Sequence, residues 1–425
     1  MPNKNFTIKD SKSSIDKYAN LIDFLSSLER IDINFELPNF DNFLNECICN
    51  YGKEYIEKVA SEIEAFCGFK QISERQLDTI KGVFYGQAIG DALGLGTEFL
   101  SKTEVSEYYP DGLSDYSQIV RDKHRSRWEI GDWTDDTDQF LCICNSIIKS
   151  GKVDKLSFAN ELYNWFKGVP MGIGQTVYKT VSTPNFTSHP HDIAEIVWKL
   201  SRGRSASNGA IMRSSILGTY EFWDSDKVID NTEKIAKVTH WDNRCVGSCV
   251  IITLLISNIL ANSNFLDLKQ LCQIADQYDD RIKPFVEKSF SASVEQLELD
   301  EATSIGYTLK ALSAGLWAYF NANSFKEGLL KIINEGGDAD TNGCVAGSIL
   351  GAKFGFNAIP DKYIDGLIYK DELEKKFNEY IKVLNKSYMQ QTVSVCKADG
   401  VLNPEKELNA DKMLEIYEQI VKYLA

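Results

Sequence analysis

Two runs of glycine at four-residue spacing constrain this chain more than any other feature. Gly82, Gly86, Gly90 and Gly94 recur in KGVFYGQAIGDALGLG, and Gly343, Gly347, Gly351 and Gly355 in TNGCVAGSILGAKFG. A glycine inside a helix costs about 1 kcal/mol relative to alanine, so four in one helix require compensation. Residues four apart share a helix face, and a face stripped of side chains lets two backbones approach closely. The ladders therefore read as a tight crossing of two helices, with phosphate cradling by the glycines as the competing role. Carboxylates sit at or near the ends of both ladders, so the crossing matters for chemistry.

The rest of the chain points to an all-α fold. Sustained period-2 alternation is scarce, whereas helical spacing recurs at Leu156, Ala159, Leu162, Tyr163 and Phe166 and at Met413, Ile416, Ile420 and Leu424. From Cys245 to Leu266 no residue is charged, a length that can cross a bilayer. That stretch also holds Ser248, Thr253, Ser257 and Asn258, and it reads as a buried core helix with no membrane role. The ten cysteines match no zinc or redox spacing and read as reduced thiols. A net charge of -15 excludes a nucleic-acid partner held by phosphate neutralisation. Met1 to Ser14 is polar without a secretory pattern, which sets a cytoplasmic expectation. Organisation changes near residue 75: residues 1–75 read as an N-terminal extension without a catalytic-looking cluster, and 76–425 as the domain that holds the motifs.

Two acidic clusters carry the chemistry. GDWTDDTDQ places Thr134, Asp135, Asp136 and Asp138 in one short segment, and GGDADTN places Asp338, Asp340 and Thr341 just before the second ladder. Carboxylates this close raise each other's pKa unless a positive charge holds them. A hard divalent cation is the natural counter-charge, and the absence of His and Cys from both clusters argues for Mg²⁺ or Mn²⁺ over zinc. Helix N-capping by Thr and Asp is the competing role, and two such clusters in one chain favour metal.

YGQAIGDALGLGTEF, GDWTDDTDQ, SNGAIMRSSILG, Thr239-His240 and GGDADTNGCVAGSILGAKFG occur in the order of the signature blocks of the ADP-ribosylglycohydrolases, which the chain resembles over residues 76–360. The resemblance implies a compact multi-helix domain with a central dinuclear site for two Mg²⁺ or Mn²⁺ ions. It makes Thr134, Asp135, Asp136, Asp338, Asp340 and Thr341 the metal ligands, with Asp135, Asp136 and the loop glutamate Glu98 as catalytic groups. Ser205, Ser207, Asn208 and Gly209 match the segment that wraps the diphosphate, and His240 matches a position near ADP-ribose. The implied activity is removal of ADP-ribose from a modified protein, with arginine the expected acceptor. Some bacterial members counter ADP-ribosyltransferase toxins, so a cognate toxin is an expected partner, and a non-enzymatic inhibitor acting through residues 1–75 is the alternative. In that alternative the apolar stretch from Ile31 to Leu44 covers the toxin; otherwise it covers the chain's own core.

Three further positions carry expectations. Arg213 reads as a structural arginine paired with an acid. Trp128 and Trp133 read either as stacking surfaces or as core. Asp138 and Gln139 depart from the small residue and Met common in the family after TDDT, and residues 113–127, with His124, Arg125 and Arg127, read as a solvated loop.

Overall fold

A computed structural model describes residues 19–20, 24, 37–67, 70–262, 265–398 and 415–424. Among them the secondary structure is helical, and the one β pairing is an isolated bridge between Ser207 and Tyr307. The chain divides into two compact units, residues 1–72 with 385–425 and residues 73–384.

The first unit contains helices α1 (Leu37–Tyr51) and α2 (Lys53–Cys67). Phe24, Phe40, Phe43, Leu44, Ile56, Val59 and Ile63 bury together with Met389, Ile416, Tyr417 and Ile420. That shared core is why residues 385–425, grouped by the sequence reading with the catalytic domain, cluster with the N-terminal segment. Phe40, Phe43 and Leu44 thus cover the unit's own core. Residues 31–36 of the apolar stretch, the polar start and Met413 lie outside the described residues.

The second unit is built on α3 (Glu74–Gly94), α4 (Asp135–Ser150), α5 (Asn243–Leu260), α6 (Thr308–Asn321) and α7 (Ala339–Phe354). Ser73 starts α3 with a capping box completed by Gln76. α3 and α7 are buried on nearly every face, as central helices are. The two cross antiparallel along the ladders. A Cβ on Gly82, Gly86 or Gly90 would overlap the carbonyl oxygen of Gly351, Gly347 or Gly343 respectively, and one on Gly94 that of Ala339. The helix-propensity cost of the glycines is offset by this backbone-to-backbone packing, in which dispersion and Cα–H···O contacts accumulate. α5, which holds most of the uncharged stretch, has 83% of its length buried and packs against α6 and α7. It is long and apolar enough to cross a membrane, and it serves as a core helix. Cys47, Cys49, Cys142, Cys144, Cys245, Cys249, Cys272 and Cys344 are free thiols.

Gly90→Ala should destabilise the protein by about 1–3 kcal/mol, because the added methyl overpacks a contact in which the obstacle is backbone. Thermal melting checks this; an unchanged midpoint would refute the crossing.

Candidate active site

The crossing brings the end of α3 to the start of α7 and so joins parts of the chain far apart in sequence. Asp91, one residue beyond Gly90 on α3, is fully buried. Its Oδ1 accepts from the Thr134 N–H (3.0 Å), and its Oδ2 from the Thr137 N–H (2.9 Å) and hydroxyl (2.6 Å). Asp91 therefore caps α4 from another helix and fixes where the Asp135-Asp136 pair sits. Thr134 is itself the N-cap, accepting from the Asp136 N–H at 3.4 Å. Capping and an acidic site thus coexist here: the threonine caps, and the two aspartates that follow are left for chemistry.

Glu98 follows α3 on a loop held from both sides. Arg125, 2% exposed, donates to the carbonyl oxygens of Gly96 (2.8 Å) and Glu98 and pairs with Asp122. The Phe99 N–H reaches the Gly337 carbonyl at 2.6 Å, just ahead of Asp338. His124 Nε2 lies 2.7 Å from Glu98 Oε2, and its ring contacts those of Phe99 and Trp128. The segment expected to be a solvated loop is instead a brace for Glu98, because a buried guanidinium supplies the donors that its carbonyls need.

Carboxylate oxygens of Glu98, Asp338 and Asp340 lie within 4.8 Å of one another. Asp136 Oδ2 is buried without a hydrogen-bond partner. Among the described residues no Lys or Arg pairs with Asp135, Asp136, Asp338 or Asp340. The donors they do receive are neutral: Gln139 Nε2 to Asp135 Oδ2 (2.9 Å), Asn208 Nδ2 to Asp338 Oδ2 (2.6 Å) and the Thr341 N–H to Asp340 Oδ1 (2.8 Å). Burial first, and neighbouring negative charge second, pushes Asp135 up to about 7 and Asp136 and Asp340 well above the usual carboxylate range. The same causes bring Asp338 up to about 6, while burial alone brings Asp91 up to about 7. An orphaned carboxylate oxygen within an all-oxygen donor set fits a hard divalent cation.

One cavity of about 750 Å³ is lined by all the residues that the resemblance assigns to ligation, catalysis or ADP-ribose: Glu98, Thr134, Asp135, Asp136, Ser205, Ser207, Asn208, Gly209, His240, Asp338, Asp340 and Thr341. Its volume falls in the range of small-molecule sites, roughly 300–1,000 Å³. The bridge at Ser207, with the Asn208 N–H on the Gly306 carbonyl (3.0 Å) and the Thr308 N–H on that of Ala206 (3.0 Å), ties the Ser205–Gly209 loop in place. His240 is fully buried against Gly209, and burial together with the Arg213 charge pushes its pKa down to about 3, so its ring is neutral. Trp128 lines this cavity, whereas Trp133 donates to Asp138 (3.0 Å) and lines a smaller adjoining one.

Among the described residues Arg213 pairs with no acid, contrary to expectation; it donates to Gln139 Oε1 (2.6 Å) and Thr239 Oγ1 (2.5 Å) above the Phe158 ring. The departures after TDDT also acquire roles, Gln139 linking Arg213 to Asp135 and Asp138 receiving the indole N–H groups of Trp133 and Trp165 (2.9 Å). The sequence reading missed Asp91 and Thr176. An acid set between two glycines of the ladder was the available signal for Asp91; Thr176 offered none.

An all-helical scaffold enclosing an acidic, oxygen-lined cavity defines the class of protein, and comparison narrows it. The family model for ADP-ribosylglycohydrolase matches residues 72–393, and the chain belongs to that family of hydrolases. It is 24% identical over 307 residues to the ADP-ribosylarginine hydrolase Tri1 of Serratia proteamaculans (strain 568), covering 70% of this chain and 77% of that protein. It is 25% identical over 303 residues to the ADP-ribosyl-dinitrogen reductase glycohydrolase of Rhodospirillum rubrum, covering 70% and 92%. A solved structure described as an ADP-ribosylglycohydrolase-related protein complex shares the fold, with TM-score 0.57 at 24% identity over 73% of this chain and 99% of that one.

The acids set a pH dependence. Each holds its proton to higher pH in the folded chain than in the unfolded one, so between about pH 4 and 7 the folded state binds more protons and stability falls as pH rises. In chelator-treated protein the melting temperature should therefore drop from pH 5 to pH 8, and added Mn²⁺ should restore it at pH 8 by mass action. A melting temperature that is flat with pH and indifferent to Mn²⁺ would contradict the site.

Proposed function

We propose that this protein is a metal-dependent hydrolase that removes ADP-ribose from arginine side chains of modified proteins. The observation that carries this reading is the single cavity shared by the acidic cluster and the Ser205–Gly209 loop. Small-residue backbone N–H groups suit a diphosphate, and carboxylates suit the positive charge that develops as a glycosidic bond breaks. Thr134, Asp136, Asp338, Asp340 and Thr341 would hold two Mg²⁺ or Mn²⁺ ions, with Asp135 beside them. Bound there, the ions would supply Lewis acidity at the reacting centre.

The chain's own groups do the rest. Asp135 Oδ2 is occupied by the Gln139 amide, and Oδ1 faces Gly172 in the cavity wall, where it takes the proton that water loses as its oxygen bonds to the anomeric carbon. The bond to the guanidine nitrogen breaks with its electron pair left on that nitrogen, and the departing guanidine takes up the proton that Asp135 accepted from water, which returns Asp135 to its starting state. Glu98, oriented by His124, adds negative charge beside Asp338 and Asp340.

Support for arginine comes from the name of the Serratia relative and from the smaller cavity, about 380 Å³, which shares Trp128, Thr134 and Asp135 with the larger one. Asp132, Asp138, Glu372, Trp133 and Tyr369 line it, with no Lys or Arg. Acids and aromatic faces suit a planar cation.

Asp135→Asn should lower kcat on ADP-ribosylarginine protein by about 10² to 10⁴-fold, the span expected for loss of a general base. Asp136→Asn should abolish turnover and weaken Mn²⁺ binding. Release of ADP-ribose is the measurement, and full activity in EDTA would refute the reading.

Protection against an ADP-ribosyltransferase in the cytoplasm is a second reading, favoured by a compact unit lying largely outside the family match. Phe40, Phe43 and Leu44 are buried in that unit's core, so an inhibitory surface would use other residues. If the unit binds a transferase, the Asp135→Asn/Asp136→Asn protein still inhibits that enzyme in vitro while failing to reverse its modification. Absence of inhibition removes this second reading.

A further inference from the structure

Arg213 is fully buried, lies outside the cavity lining and is not needed for ligation, yet it heads a hydrogen-bond chain that ends in the cavity. Its guanidinium donates to Thr239 Oγ1 at 2.5 Å. Thr239 Oγ1 lies 2.8 Å from His240 Nδ1, and His240 Nε2 lies 3.0 Å from Ser207 Oγ. Ser207 Oγ donates to Thr176 Oγ1 (2.9 Å), which lies 3.0 Å from Ser205 Oγ. Its other amino group is anchored on Gln139, so the guanidinium is fixed in place.

Direction along this chain follows from what each group can do. An arginine only donates. Thr239 must accept from it, and the threonine's one hydrogen is then available for His240 Nδ1. That nitrogen is the bare one, Nε2 carries the hydrogen, and Ser207 receives it and passes its own to Thr176. Thr176 and Ser205 are left with two hydroxyl hydrogens and one contact between them, and both residues line the cavity. The opposite tautomer would have Nδ1 donate to Thr239, stranding the threonine's hydrogen in a group 1% exposed, an uncompensated buried donor. The ring's neutrality, enforced by burial and by the Arg213 charge, removes the doubly protonated alternative.

We propose that Arg213 is a positioning residue that sets the hydrogen-bond direction through Thr239, His240 and Ser207, so that Thr176 or Ser205 presents a hydroxyl donor to a phosphate oxygen of the bound ligand. The identity of the ligand rests on the ADP-ribose reading above; the direction of the chain does not. A remote cation thereby makes one wall of an otherwise acidic cavity a donor surface.

The test uses full-length protein with ¹⁵N-labelled histidine, of which there are four. In the wild type the His240 nitrogen shifts should report a neutral ring with hydrogen on Nε2. Thr239→Ser, which keeps the hydroxyl, should preserve that pattern and the affinity for ADP-ribose. Thr239→Val should lose the fixed tautomer, raise the Kd for ADP-ribose roughly tenfold, the scale of one hydrogen bond to a charged group, and raise KM with little change in kcat. A wild-type ring with hydrogen on Nδ1 overturns the proposal without any variant. So does a Thr239→Val protein that folds and binds ADP-ribose as the wild type does. Wild-type protein with the expected tautomer but no affinity for ADP-ribose would instead overturn the proposed function and the ligand half of this inference.

Discussion

The contact between the backbones of α3 and α7 is the constraint on which the rest of this structure depends. Only glycine allows it, since any Cβ at Gly82, Gly86 or Gly90 would meet a carbonyl of the facing helix. Close approach is what places Asp91 and Glu98, at the end of one helix, beside Asp338, Asp340 and Thr341 at the start of the other. A crossing a few ångströms wider would leave these carboxylates too far apart to share a ligand. The glycines thus act on function through distance, without touching it chemically.

Close approach creates an electrostatic problem, and the surrounding residues address only part of it. Asp91 is satisfied by the start of α4, Asp338 by Asn208 and Asp135 by Gln139. Helix N-termini at Thr134 and Asp338 add favourable dipoles for nearby negative charge. None of these groups is a cation, and among the described residues one oxygen of Asp136 has no hydrogen-bond partner. A site arranged this way holds its acids toward the protonated form, and the buried charge that destabilises the free protein is what would favour a cation there.

Much of this was legible in the sequence because it is local. The ladders repeat at a helical spacing, and the acids and threonines of each cluster lie within a few residues of one another, so spacing alone announced both a tight crossing and an oxygen-rich site. What was not legible joins distant segments. Arg125 looks like a surface charge until its guanidinium is seen under the Gly96 and Glu98 carbonyls, and His124 gains meaning only from Glu98. Arg213 looked like half of an ion pair, yet its partners, Gln139 and Thr239, are uncharged and lie 74 and 26 residues away. Residues 385–425 carry a helical pattern that says nothing of which core they join; Ile416 and Ile420 join that of Phe40 and Leu44.

The most direct test of a cation-dependent acidic cavity is to locate the ion. Crystals of the full-length protein equilibrated with Mn²⁺ should show anomalous difference density between Glu98, Asp136, Asp338 and Asp340, with coordination by their carboxylate oxygens. Density confined to other sites, or none in the cavity at Mn²⁺ concentrations that saturate activity, would contradict the account.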